Sequence, residues 1–188
     1  MKGSKSVVAV FTAGFAALYT VGVMVLAPIS FQVFQVRVAD ALLPLAILFG
    51  WPAILGLSLG AFVANIFGPL GPVDIVGGSI ANLIAGYVAW RIAASGGRWR
   101  VLVAIGLQIL IVTVIVGTYL SYILALPLGI TWFGIMVGSI VAVGLMGSLL
   151  LRALSVERIV TLLRGYGIPV YSIRRSRVRN LVRIDMSP

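Results

Sequence analysis

Long hydrophobic runs, separated by short polar or glycine- and proline-containing stretches, occupy most of the chain. Several of them reach the length of about 20 residues that an α-helix needs to cross the hydrocarbon core of a bilayer. The pattern therefore predicts an all-α, polytopic membrane protein built as a six-helix bundle. The predicted spans cover residues 6–27, 38–50, 52–67, 73–93, 100–126 and 130–152.

The apolar region 38–67 is too long for a single span. As one helix it would extend about 45 Å, whereas the hydrocarbon core is about 30 Å thick. It also contains Pro44, Gly50 and Pro52, and proline removes a helical hydrogen bond and disfavours helix in the residue before it. We therefore predict two short, broken helices here. Broken helices at membrane depth are tolerated where they line a cavity, so this region is also a candidate binding site.

The distribution of basic residues predicts the orientation, because cytoplasmic loops collect Lys and Arg. Six spans place the N-terminus, the loop near residues 94–100 and the C-terminus on one side, together with 13 of the 14 basic residues. A five-span arrangement would keep 12 of the 14 on that side, so the charge distribution barely separates five spans from six. The length of region 38–67 and its prolines decide for six spans. We expect both termini in the cytoplasm.

The chain is predicted to divide into a transmembrane domain, residues 1–152, and a cytoplasmic arginine-rich tail, residues 153–188. We interpret the tail as an anchor that lies against anionic lipid. Contact with a cytoplasmic partner protein is the second interpretation. Nucleic-acid binding is not expected, since no nucleic-acid-binding fold or aromatic platform accompanies the basic run.

Composition limits the chemistry of the chain. It is 61% hydrophobic and 10% charged, which is more apolar surface than a soluble domain of this size can bury. It has no cysteine and no histidine, which excludes disulfides, thiolate or imidazole metal sites, and Cys/His catalysis. It also lacks a phosphate-binding Gly-Lys-Ser/Thr loop. We therefore predict that the chain is not an enzyme and holds no metal or cofactor of its own.

Nearly all acidic and amide side chains outside the tail lie in two stretches, residues 30–40 and 65–82, which flank the same predicted outer loops. Arg37 and Asp40 are three residues apart, so they can pair on one helical turn. This spacing allows a structural ion pair at a helix start or an outward-facing pocket for a small polar ligand. A carboxylate accepts two parallel hydrogen bonds from an amidine-like edge, such as that of a guanine-type base. The candidate ligand-binding residues are Gln35, Arg37, Asp40, Asn65, Asp74 and Ser79.

Small residues recur at four-residue spacing in two helices, a pattern that lets helix backbones approach closely. The pattern alone leaves open whether each stripe packs inside the chain or against a partner. The two stripes are Ala9, Ala13 and Ala17, and Gly56, Gly60 and Ala64.

A series of short motifs runs through residues 16–86. Its members are Ala17-Leu18-Tyr19, Pro28, Ser30, Phe31, Gln35, Arg37, Ala41, Leu42, Pro44, Gly56, Leu57, Gly60, Ala64, Asn65, Gly71, Asp74, Gly78 and Ser79. In this order they resemble the queuosine-precursor transporter family, the QueT-type substrate-binding S components of energy-coupling-factor (ECF) importers. The family acid is usually Glu, where this chain has Asp40. The Asp side chain is one methylene shorter than Glu, which moves the carboxylate and retunes a specific hydrogen bond.

The resemblance implies a six-helix bundle in a prokaryotic cell membrane that binds its substrate near the outer face, with residues 28–36 as a lid. The implied substrate is a 7-deazaguanine precursor of queuosine or archaeosine. Asp40 and Asp74 would accept hydrogen bonds from the base's N–H edge, and Arg37 would orient Asp40. The remaining candidates, Gln35, Asn65 and Ser79, would complete the pocket.

The resemblance also implies partners. A shared transmembrane coupling protein and a pair of ATPases would drive transport, so ATP would be used only by those subunits. The small-residue face of the first helix, Ala9, Ala13 and Ala17, would be the docking surface for the coupling protein. Two alternatives remain: an S component for another vitamin-like molecule, and a structural membrane protein without a ligand that holds partners through its small-residue faces and basic tail.

Overall fold

The computed structural model describes residues 5–31 and 36–171, which fold into helices without a strand among them. The elements in chain order are α1 (Lys5–Val25), α2 (Ala27–Ser30), a 3-10 turn (Val38–Leu42), α3 (Leu45–Phe49), α4 (Trp51–Ile66), α5 (Pro72–Ala93), α6 (Arg98–Leu124), α7 (Leu128–Ser139), a π-helical stretch (Ile140–Gly147), α8 (Ser148–Leu154) and α9 (Glu157–Gly165).

The prediction of an all-α membrane bundle of six helices is confirmed. Four continuous helical segments are long and apolar enough to cross a membrane: Lys5–Val25, Pro72–Ala93, Arg98–Leu124 and Leu128–Leu154. Two shorter apolar segments, Val38–Phe49 and Trp51–Ile66, complete the bundle. Large hydrophobic side chains are exposed along the outer faces of these helices, as expected of surfaces that contact lipid.

The Val38–Phe49 segment runs through the middle of the bundle in the direction opposite to α1. Its first half lies beside the C-terminal half of α1, where Tyr19 contacts Asp40. Its last residue, Phe49, stacks against Phe11 and Phe15 nearer the start of α1. Every residue of α3 is buried. The segment is therefore surrounded by the other helices, and its position determines where Asp40 lies.

The break between α3 and α4 falls at Gly50, two residues before Pro52. Gly50 has φ +62°, a backbone conformation that costs glycine little and other residues more. Pro52 has no N–H, so the helical hydrogen bond to the carbonyl of Leu48 cannot form. The two residues together end α3 and start α4 in a new direction.

The last membrane segment is irregular where it faces the central one. Its π-helical stretch, Ile140–Gly147, packs against the 3-10 turn. A Cβ added at Gly147 would lie 2.8 Å from Cγ of Pro44 and 3.0 Å from the carbonyl oxygen of Ala41. Glycine thus permits the close approach. π-Helical turns are rare and occur frequently at functional sites.

The α4 stripe of small residues packs inside the chain. A Cβ added at Gly56 would lie 2.5 Å from the carbonyl oxygen of Thr12, and one at Gly60 would lie 2.7 Å from that of Ala16. Both glycines and Ala64 are buried. The α1 stripe lies on the other side of its helix, because Ala9, Ala13 and Ala17 are all exposed.

Charged residues separate between the two ends of the bundle. The beginnings of α1 and α6 and the ends of α5 and α8 share what we name the basic end. It carries Lys5, Arg91, Arg98, Arg100 and Arg152. The opposite end, which we name the polar end, contains the start of the 3-10 turn, with Arg37 directly before it, and the start of α5. It carries Arg37, Asp40 and Asp74.

Candidate ligand-binding site

A cluster of buried polar side chains lies at the polar end, between the 3-10 turn and helices α1, α4, α5 and α6. Charges and amides inside a membrane bundle are costly and usually mark functional sites. Here Arg37 and Asp40 are each only 6% exposed, and Asn65 and Asp74 are completely buried. The cluster is therefore the strongest candidate site in the described part of the chain.

Asp40 is held by α1. The hydroxyl of Tyr19 donates a hydrogen bond of 2.5 Å to Oδ1 of Asp40, and Tyr19 itself is fully buried. The contact joins residues 21 positions apart in sequence. Among the described residues Asp40 receives this bond from Tyr19 and none from Arg37, which directly precedes the 3-10 turn. The phenol therefore fixes the carboxylate in place.

Asp74 is held by α6 and α4. The hydroxyl of Tyr119 donates a hydrogen bond of 2.6 Å to Oδ1 of Asp74, and Nδ2 of Asn65 donates one of 2.8 Å to the Asp74 backbone carbonyl. Asp74 lies in the first turn of α5, where the helix dipole favours a negative charge. These contacts fix the second carboxylate.

Arg37 lines the same small cavity as Asp40, and its Nη1 lies near Gly78, one helical turn after Asp74 on α5. Its guanidinium carbon is 5.5 Å from the ring centroid of Phe31, within the range of a cation–π contact. Glycine at position 78 makes room for the neighbouring amide, because an added Cβ there would lie 2.6 Å from Nδ2 of Asn65, whereas Nη1 of Arg37 would be at an ordinary contact distance of 3.7 Å. Two acids and one arginine thus share one buried volume.

Several polar atoms of the cluster have no hydrogen-bond partner among the described residues. They include donors, Nε and Nη2 of Arg37, and acceptors, Oδ2 of Asp74 and Oδ1 of Asn65. Buried polar atoms are nearly always satisfied. Unsatisfied donors and acceptors next to each other are what a polar ligand with both kinds of group requires.

A small cavity of about 10 Å³ opens within the cluster, and its volume is enough for about one water molecule. Its walls are formed by Arg37, Asp40, Gly78, Asn82, Val112, Val116, Ile135 and Ser139. Typical small-molecule pockets are roughly 300–1,000 Å³. A ligand larger than water therefore requires the walls to move apart.

The structure brings together four of the six candidate ligand-binding residues: Arg37, Asp40, Asn65 and Asp74. It does not bring Ser79 into the cluster. The Ser79 hydroxyl donates to the carbonyl of Val76 in its own helix, and its backbone carbonyl accepts a bond from Ser58 of α4. Gln35 lies outside the described residues. The assignment of these six residues to a ligand stays a prediction.

Sequence reasoning missed the two tyrosines that hold the carboxylates. Tyr19 belongs to the matched motif but received no role, and Tyr119 lies in a long apolar span. Asn82 was noticed as polar but not selected, although it lines the cavity. Gln108, also missed, is fully buried and donates to the Leu43 carbonyl at 2.9 Å. For each of these four residues, the one signal available in the sequence was a polar or phenolic side chain within a predicted span.

Replacing Tyr119 by phenylalanine is expected to destabilise the bundle by about 1–3 kcal/mol, because Oδ1 of buried Asp74 loses its donor. Thermal unfolding of the detergent-purified protein measures the effect. Tyr122→Phe is the matched control, since Tyr122 is in the same helix but 86% exposed. Equal unfolding temperatures for the two variants would contradict the contact.

Comparison with known proteins identifies the family of the chain. The family model described as QueT transporter matches residues 9–156, well over half of the chain and far beyond the motif region 16–86. No curated protein and no solved structure matches the chain. The family is one of membrane transport rather than catalysis, in agreement with the apolar spans. The chain therefore belongs to the QueT transporter family and is a multi-pass membrane transport component for a queuosine precursor.

Proposed function

We propose that the chain is the S component of an ATP-driven ECF importer and that it binds a 7-deazaguanine precursor of queuosine or archaeosine. Family membership supports the transport role. The observation that carries the proposed site is the buried cluster at the polar end, with two fixed carboxylates, one arginine and unsatisfied donors and acceptors. The small molecule is the substrate, and the chain itself performs no chemistry on it.

A deazaguanine base complements this cluster. Its N1–H and exocyclic amine are adjacent donors that suit carboxylate acceptors, and Oδ2 of Asp74 lacks a partner among the described residues. Its ring carbonyl is an acceptor that suits the donors of Arg37. In this proposal Asp40 and Asp74 read the N–H edge and Arg37 also orients Asp40. Asn65 contributes its acceptor oxygen.

Binding requires the cavity to widen. The proposed lid, residues 28–36, ends directly before Arg37, which forms part of the cavity wall, and in this proposal the lid moves to admit the ligand. Gln35 completes the pocket from the lid. Ser79 completes it only if its hydroxyl leaves the Val76 carbonyl, to which it donates at 2.9 Å.

The proposed orientation places the basic end and both termini in the cytoplasm, with the polar end outside. Basic residues at the same end of α1, α5, α6 and α8 support it. The membrane surface on that side is anionic, so the tail would also contact lipid. Ligand would then enter from outside, and ATP would be consumed by partner subunits on the cytoplasmic side.

The exposed stripe Ala9, Ala13 and Ala17 on α1 is the proposed docking surface for the transmembrane coupling protein. Small residues let a partner helix approach closely. The other small-residue stripe is occupied within the chain, because Gly56 and Gly60 pack on α1. The α1 stripe is therefore the one that a partner can use.

Replacing Ala13 by tryptophan is expected to reduce copurification with the coupling protein and its ATPases at least tenfold, because the indole prevents close helix approach. Ligand binding by the isolated chain should persist. Leu110→Trp is the control, since Leu110 is 55% exposed on another helix. Equal copurification of the two variants would exclude the α1 stripe as the docking surface.

Calorimetric titration of the detergent-purified chain tests the ligand. The titrants are 7-cyano-7-deazaguanine and 7-aminomethyl-7-deazaguanine, with guanine as the control. We expect submicromolar binding of at least one deazaguanine. Guanine presents the same N1–H, amine and carbonyl edge, so any difference in its affinity measures the contribution of position 7. Failure of all three would leave the bundle and the family unchanged and would remove the deazaguanine ligand from the proposal.

A second ligand class is favoured by Asp40, since the family acid is usually Glu. The shorter side chain moves the carboxylate by about one bond, which retunes a specific hydrogen bond and suits another vitamin-like molecule. A screen by thermal stabilisation separates the two classes, because a true ligand stabilises the folded protein by mass action. Stabilisation by no compound would remove the proposed binding site and leave the family assignment unchanged.

A further inference from the structure

The chain returns to the bundle after α9. Ile168 and Val170 are half-buried and pack against the core, and the backbone N–H of Tyr171 donates a hydrogen bond of 2.8 Å to the carbonyl of Leu48. We name residues 168–171 the clasp. The clasp connects the last described part of the chain to the basic end of α3, more than 100 residues earlier in sequence.

The Leu48 carbonyl can accept this bond because Pro52 does not donate to it. In a continuous helix the carbonyl of residue 48 would accept from the N–H of residue 52, but proline has none. The Leu48 carbonyl is therefore left without its helical donor inside the bundle, where an unpaired carbonyl is costly. The Tyr171 N–H supplies the missing donor, so the clasp completes the break between α3 and α4.

Gly50 forms the socket for the Tyr171 side chain. A Cβ added at Gly50 would lie 2.6 Å from Cε2 of Tyr171 and 3.1 Å from Nε1 of Trp90. The Tyr171 and Trp90 rings meet edge to face, with centroids 5.5 Å apart, a favoured aromatic geometry. The absent side chain at position 50 therefore serves two purposes: the positive φ of the break and the space for the tyrosine ring.

We infer that the clasp is a lock on the Val38–Phe49 segment. The segment carries Asp40 near one end and is fastened by the clasp at the other, at Leu48. All residues of α3 between these points are buried, so displacement of one end is transmitted through packed side chains.

Hydrogen–deuterium exchange of the full-length, detergent-purified protein tests the lock without any ligand. In the wild type, the amide of Tyr171 should exchange slowly, because it is bonded to a buried carbonyl. Tyr171→Ala should accelerate exchange roughly tenfold in residues 168–171 and also in residues 45–50. Tyr166→Ala is the matched control, since Tyr166 is 72% exposed, and it should leave both regions unchanged.

Three results would overturn the inference. An unprotected Tyr171 amide in the wild type would show that the clasp is not docked, and this measurement needs no variant. Acceleration confined to residues 168–171 would show that the clasp does not hold α3. Equal acceleration by Tyr166→Ala would show that the effect is not specific to the socket.

A double-mutant cycle tests the socket itself. Gly50→Ala introduces backbone strain in any background, but it meets the Tyr171 ring only where that ring is present. The loss of unfolding temperature caused by Gly50→Ala should therefore be smaller in the Tyr171→Ala background than in the wild type. Equal losses in the two backgrounds would contradict the socket.

Discussion

Replacing Gly60 by valine is expected to destabilise the bundle by about 3 kcal/mol, the upper end of the usual cost of overpacking. A Cβ at this position would lie 2.7 Å from the carbonyl oxygen of Ala16 and 2.8 Å from Cβ of Tyr19. Neither atom is the end of a flexible side chain, so helices α1 and α4 must separate. Separation also displaces Tyr19, the donor to Asp40. We expect the unfolding temperature to fall by roughly 6–12 °C.

Gly106→Val provides the matched control for this prediction. Gly106 also lies in the middle of a membrane helix, but no atom lies within 4 Å of the Cβ it would gain. The change in helix propensity is the same in the two variants, and only the packing differs. If both variants unfolded at the same temperature, the close approach of α1 and α4 would be wrong.

The broken helix was predictable because its signals are local. Pro52 removes a specific hydrogen bond and disfavours helix at residue 51, and Gly50 tolerates the resulting turn. Length supplied the second argument, since no single helix of that region fits the bilayer. The burial of Asp40 and Asp74 near the same end was also predictable, because six alternating spans bring both to one side.

The partners of these carboxylates were not predictable. Tyr19 and Asp40 are 21 residues apart, and Tyr119 and Asp74 are 45 apart, so no helical or loop spacing relates them. Each contact depends on the rotation of a helix about its axis, and the apolar residues of α1 and α6 are spread around each helix. Hydrophobic periodicity therefore did not indicate which face turns inward.

The same rotation decides the roles of the two small-residue stripes. Their spacing is identical, and the sequence left both open to intrachain or intermolecular packing. In the structure the α4 stripe touches α1 while the α1 stripe faces outward. Helix rotation also explains why Ser79 is not in the polar cluster. It follows Gly78 on α5, and its hydroxyl points away from the cluster and donates to the Val76 carbonyl of its own helix.

Replacing Asp40 by asparagine is expected to weaken binding of the preferred 7-deazaguanine roughly 100-fold, equivalent to about 2.8 kcal/mol. The substitution keeps the size of the side chain, so the cavity walls stay in place. It removes the negative charge beside Arg37 and turns one acceptor oxygen into a donor, which opposes the N–H edge of the base. Hydrogen bonds to charged groups account for a loss of this order. Calorimetric titration measures it.

Glu157→Gln is the control for Asp40→Asn, because it makes the same carboxylate-to-amide change at an exposed position at the start of α9. It should bind ligand as the wild type does. The unfolding temperature of Asp40→Asn without ligand separates a lost contact from a lost fold, since Tyr19 retains an acceptor in the amide oxygen. If the Asp40→Asn variant bound the 7-deazaguanine with unchanged affinity, the Asp40 carboxylate would not contact the base. Recognition would then rest on Asp74.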